Sequence, residues 1–332
     1  MESSGEDTLR GARAWTRTIW RQRIVLAVVT AQGTALGCNS ISEQEIPDIF
    51  LEPVAQFRFI AEDAPVAAAA QTSDTFVLVP PARDRVVLFD KGDERNLASF
   101  PEGRILAVTA DSTAFWIAVD NLLLSADAES LALKTEFEGD PQEYIREIAV
   151  SGRHIWIVVA AESGSRLVAL QRGNDDRLEQ YYATALPTYR VGLASWANGG
   201  ILLYENGAPY GLRALSHTGV EEYSVTPLAY RLTQISHPTA TQDWALTAAV
   251  PLTSDLVVQW FTDLRSLERI AVTVKLSDNR QTRSIVIRSP LGLIHALPTQ
   301  RDHVLASQEI PSGRQLIIYR MTVEDSTKRV LE

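Results

Sequence analysis

A short apolar run, a turn of polar, Pro or Gly residues, and a second apolar run recur six times along this 332-residue chain. The phrase begins at Phe76, Phe115, Ile155, Ile201, Leu256 and Val304, so its successive spacings are 39, 40, 46, 55 and 48 residues. In the third copy it reads Ile155-Trp156-Ile157-Val158-Val159, then Arg166-Leu167-Val168-Ala169-Leu170. β-Branched and aromatic residues fill the runs and no long helical period competes, so each copy reads as a set of short strands. A unit of this size, built only of strands, cannot bury both of its faces alone and must stack on its neighbours.

Each copy is preceded by a run of small residues, as in Val66-Ala67-Ala68-Ala69-Ala70, Ile105-Leu106-Ala107-Val108 and Val191-Gly192-Leu193-Ala194. Small side chains suit strands crowded around a common axis. Each copy is followed by a weaker, more polar stretch such as Glu179-Gln180-Tyr181-Tyr182, as expected of an exposed edge. Asp, Asn, Ser and Gly stand between the runs and suit hairpin turns. The pattern predicts an all-β fold, a six-bladed β-propeller of four-stranded blades. The sixth copy lacks a fourth strand, and Val54–Ile60 alternates without a partner, so the reading joins that segment to the last blade and closes the ring. The alternative is a seven-bladed ring with a degenerate blade in residues 226–243, which lengthen the fifth interval.

The amino terminus reads differently. Five Arg at positions 10, 13, 17, 21 and 23 precede the apolar run Ile24–Val29, followed by small residues and Leu36-Gly37-Cys38. A basic region, a short apolar run and a small-residue exit are the pattern of a secretory signal peptide. Cys38 is the single cysteine of the chain. A lone exposed thiol is a liability in an exported protein, and acylation at this position would consume it. The segment resembles the lipobox of bacterial lipoproteins, although Ala35 stands where that family usually has Leu. The resemblance implies cleavage before Cys38, its lipidation, and anchoring to the outer membrane or cell surface. Acyl chains contribute about 0.8 kcal/mol per buried methylene, so two or three hold a protein stably. The expected organisation is signal peptide 1–37, lipidated tether 38–52, propeller 53–325 and tail 326–332.

Net charge is −10 for the whole chain. Without the first 37 residues it is −12, from 26 basic and 38 acidic side chains. Such a surface repels phosphate backbones, which argues against nucleic-acid partners. The sequence carries no phosphate-binding glycine loop, no nucleophile elbow and no cysteine set for structural zinc, so no cofactor is expected. At the level of repeat period the chain is similar to TolB-like and NHL-like propellers, a likeness that implies fold alone. The functional expectation is a non-enzymatic module that binds or scaffolds a protein or small-molecule partner. Trp196, Trp260 and His295 are the candidate binding-face residues. The rival is an enzyme of lactonase, lyase or quinone-dehydrogenase type, which requires Glu147, Asp243 and His295 to converge at the channel. A third reading, a carbohydrate-binding module, requires exposed aromatic platforms. Trp116 and Trp156 share one repeat position and are expected between blades.

Overall fold

The computed structural model describes residues 48–59, 65–91, 93–127, 129–130, 132–174, 177–188, 190–207, 210–225, 244–263, 269–277, 280–287, 291–296, 302–310 and 313–324. Residues 1–37, Cys38 and residues 226–243 lie outside them. Twenty-four strands form six four-stranded antiparallel sheets, the blades of a β-propeller. β1 (Asp48–Phe59) precedes the first blade, which is β2 (Ala67–Ala70), β3 (Thr75–Val79), β4 (Arg85–Asp90) and β5 (Asp93–Ser99). Blade two is β6 (Ile105–Ala110), β7 (Phe115–Val119), β8 (Leu122–Ala126) and β9 (Leu133–Glu138). Blade three is β10 (Tyr144–Ser151), β11 (His154–Ala161), β12 (Gly164–Arg172) and β13 (Leu178–Leu186). Blade four is β14 (Val191–Ser195), β15 (Ile201–Glu205), β16 (Leu212–Leu215) and β17 (Glu221–Val225). Blade five is β18 (Trp244–Pro251), β19 (Leu256–Asp263), β20 (Arg269–Lys275) and β21 (Arg280–Ile287). Blade six is β22 (Leu291–Ala296), β23 (His303–Ile310) and β24 (Gly313–Glu324), with β1 as its outer strand.

β1 pairs antiparallel with β24 from Asp48↔Glu324 to Phe59↔Arg314. It starts at Asp48, so residues 48–52, read from sequence as tether, belong to the sheet. In sequence, residues 39–52 are polar at first and carry no clear period, which hid the strand, and Pro53 lies within it. An edge strand tolerates Pro, because one side of its backbone needs no ladder partner. Blades four and five adjoin directly. The Leu246 N–H donates to the Asn206 carbonyl at 3.0 Å, and residues of both sheets share one buried cluster. Among the described residues there is no seventh sheet.

The middle strands of the blades are buried on both faces, which is why they read as continuous apolar runs. The core is a ring of clusters between adjacent blades rather than one central mass. Trp116 packs among blade-three residues and Trp156 among blade-four residues, as their shared repeat position predicts. Phe57 of β1 meets Phe76 of blade one edge-on at 4.7 Å, and Phe76 stacks on Phe89 at 4.9 Å, joining the last blade to the first.

One repeat device escapes the sequence pattern. Every outer strand carries a bulge, which leaves Val54, Leu97, Glu136, Tyr181, Glu222 and Thr282 without a register partner. A bulge sharpens twist and spoils an edge for further pairing. We call the side with the hairpins between second and third strands the upper face, and the opposite side the lower face.

Candidate functional site

The innermost strands enclose a central channel of about 260 Å³. Ala67, Ala68, Ala107, Ala194, Ala248 and Ala249 line it and keep it open. Into this small-residue wall project Glu147, Arg83, Tyr204, Asn206 and Thr109.

Glu147 lies near the start of β10, beside a bulge. Ile145 pairs with Val159 and Glu147 with the next residue, Val158, which leaves Arg146 over. Bulges of this kind re-aim a side chain. The Glu147 carboxyl is partly open to the channel but walled by strands, and this desolvation pushes it up to about 7, against the pull of Arg146 and Arg83. It is therefore a carboxyl that exchanges its proton near neutrality.

Arg83 reaches the channel from the β3–β4 hairpin, where its backbone takes φ 59°. Its carbonyl accepts the Ile105 N–H at 2.9 Å. Its guanidinium donates to the Ile105 and Leu106 carbonyls at 3.2 and 3.4 Å. Burial lowers its basicity, Arg104 and Arg146 add to that effect, and Glu147 opposes it. It still carries its charge, so Arg83 fixes blade one to blade two and sets a cation beside Glu147.

Tyr204 extends from β15 across the backbone of Gly192, its partner on β14. A Cβ at position 192 would fall within the van der Waals envelope of the phenol ring. Burial, and secondarily the Glu147 charge, raise the Tyr204 phenol far above its ordinary value, so it remains an O–H donor. Asn206, in the next hairpin, donates its N–H to the Arg190 carbonyl at 2.9 Å while its own carbonyl accepts from Leu246. Asn206 Oδ1 and Thr109 Oγ1 are buried and have no hydrogen-bond partner among the described residues. An unpaired buried polar atom costs about 1–3 kcal/mol. The channel thus offers two unused acceptors and a carboxyl of adjustable charge in an enclosed cavity, chemistry suited to a small solute bearing hydroxyl or amine groups.

The structure separates the residues singled out from sequence. Glu147 lines the channel. Asp243 lies outside the described residues. His295 is on β22, the innermost strand of blade six, with its backbone opposite Leu305. Trp196 and Trp260 are not on a binding face. They are 2% and 1% exposed. Trp196 packs in the cluster between blades four and five, and Trp260 in the cluster between blades five and six. Their large apolar surfaces stabilise more between blades than in water. Sequence reading missed Arg83 of blade one and Tyr204 and Asn206 of blade four. Gly192 within a strand was the available signal, since such a glycine marks a close approach.

No protein-family model matches the chain, and no curated protein matches it in sequence. Solved structures do match in fold. One is a chain of the mitotic checkpoint complex, with TM-score 0.51, 11% identity, and coverage of 90% of this chain and 99% of that one. Another is BBS1N in complex with ARL6DN, with TM-score 0.50, 14% identity, and coverage of 78% and 80%. A third is the Cps50 (Swd1) β-propeller domain of Myceliophteria thermophila, with TM-score 0.51, 11% identity, and coverage of 81% and 86%. At such identities the likeness carries the fold and nothing finer. The chain is a six-bladed β-propeller.

Proposed function

We propose that this propeller is a non-enzymatic binding module held on the bacterial cell envelope through a lipidated Cys38, with the channel as its ligand seat. The observation that carries the reading is the pair of unpartnered acceptors, Asn206 Oδ1 and Thr109 Oγ1, enclosed with Glu147 in one cavity. Protein partners suit the same reading, since two similar propellers were solved in complexes. β1 begins on the lower face, ten residues after Cys38, a reach of at most about 36 Å. An acylated Cys38 therefore turns the lower face to the bilayer and leaves the upper mouth, with Glu147, pointing away.

Thermal shifts of the full chain in detergent, against a panel of polyols, neutral sugars, amino sugars and primary amines, test the seat. At least one class should raise the midpoint of wild type and fail with Asn206→Ala and Glu147→Gln. A flat response across the panel rejects it. Alkyne fatty-acid labelling tests the anchor. Wild type should incorporate label and Cys38→Ala should not, whereas an unlabelled wild type ends the anchor reading.

One observation favours an enzyme as second reading. A carboxyl at about 7 beside a phenol is poised for general acid–base work. Turnover of a lactone or uronide substrate that disappears in Glu147→Gln would displace the binding-module reading.

A further inference from the structure

A separate side-chain cluster occupies the lower face between blades three and four. His154 opens β11 after a tight turn at Gly152. His217 stands in the turn between β16 and β17. Their ring centres are 5.5 Å apart, with planes tilted by 36°. Tyr181, left over by the β13 bulge, reaches both residues. Its hydroxyl donates to the His217 carbonyl at 2.8 Å and contacts His154 Nδ1 at 3.0 Å.

This geometry fixes a tautomer. A phenol has one proton, and the carbonyl can only accept it. The contact to His154 must then be an Nδ1–H donating to the Tyr181 oxygen, which leaves Nε2 with a bare lone pair. An imidazole with Nδ1–H tied down as a donor and Nε2 left free is the form that ligates metals.

We propose that His154 and His217 form a two-imidazole site for a borderline divalent d-block cation such as Zn²⁺, Cu²⁺ or Ni²⁺, with water completing its coordination. Imidazole suits these ions. Two imidazoles each about 2.0–2.1 Å from a shared tetrahedral ion place their ring centres roughly 5 Å apart, close to the observed separation. The Nε2 edge of His154 and the Cβ of His217 approach one spot above Gly199, where a built Cβ would lie 3.3 Å from each. Gly199 leaves that spot clear, and the same Cβ would come within 2.6 Å of His154 Cδ2. Among the described residues no third His, Cys, Asp or Glu joins the pair, so the site is open-sided.

The test titrates full-length chain in detergent with Cu²⁺ and Zn²⁺ at pH 7.5. The His154→Ala, His217→Ala double variant supplies the baseline for other sites. Wild type should bind one equivalent more than the double variant, and its Cu²⁺ spectrum in electron paramagnetic resonance should carry coupling to two imidazole nitrogens. His217→Ala alone, in an exposed turn, should weaken binding by at least tenfold. Tyr181→Phe keeps both ligands but frees the Nδ1–H, and should weaken it by roughly tenfold. Equal stoichiometry in wild type and double variant overturns the proposal, as does a wild-type Cu²⁺ spectrum without the second nitrogen.

Discussion

The ring of Tyr204 lies over the backbone of Gly192, filling the space that any side chain at 192 would need. Gly192→Ala must push the phenol into the channel or part β14 from β15. Overpacking of this sort costs about 1–3 kcal/mol. Urea unfolding of the variant should show a loss in that range. Tyr204→Phe, which keeps the ring, should lose far less.

Glu147 makes stability fall as pH rises. Its folded value, about 7, lies above the 4.5 of an ordinary glutamate, so the native state holds a proton that the unfolded chain has released. The contribution is fully present below pH 4.5, is lost progressively between 4.5 and 7, and is gone above. The span amounts to roughly 3–4 kcal/mol, about 2.5 pH units at about 1.4 kcal/mol each. Melting midpoints of wild type should decline across that window relative to Glu147→Gln, which has no proton to lose. Parallel pH profiles for the two proteins would contradict the desolvated carboxyl.

Two buried tryptophans should respond differently to the same change. Trp156 Nε1 donates to the Gly199 carbonyl at 3.1 Å, whereas Trp260 Nε1 is buried without an acceptor. Phenylalanine at 156 orphans a carbonyl, and phenylalanine at 260 removes an unpaired donor. Trp156→Phe should therefore cost about 1–2 kcal/mol more than Trp260→Phe by denaturant midpoint.

Ring closure predicts that the first described strand matters as much as the last. Phe57→Ala breaks the aromatic contact between blades six and one. For a half-buried ring we expect a loss of about 1–3 kcal/mol, below the full-burial range. Hydrogen exchange should rise first along β24 and β2, the strands flanking the seam.

What was legible follows from burial. Strands covered on both faces must be apolar throughout, so Phe76–Val79 and Ile155–Val159 announce themselves, and alanine-rich strands announce a crowded axis. The channel chemistry was not legible in the same way. Arg83, Thr109, Glu147 and Asn206 sit on four different blades and meet only once the ring closes. His154 and His217 are likewise brought together by the packing of one blade against the next. Trp196, beside a glycine-rich turn, and Trp260, beside Phe261, misled because such an aromatic reads alike whether it points outward or into the seam.

The pairing of β1 with β24 also sets how the molecule bears load. A pull arriving through the amino-terminal segment enters at Asp48 and runs along the strand, across a register of eleven paired residues. Those backbone bonds are loaded side by side in shear rather than peeled one at a time. The disc should therefore withstand a pull at its amino-terminal end far better than its modest individual sheets would suggest, and when it yields it should lose β1 from blade six before any other blade comes apart.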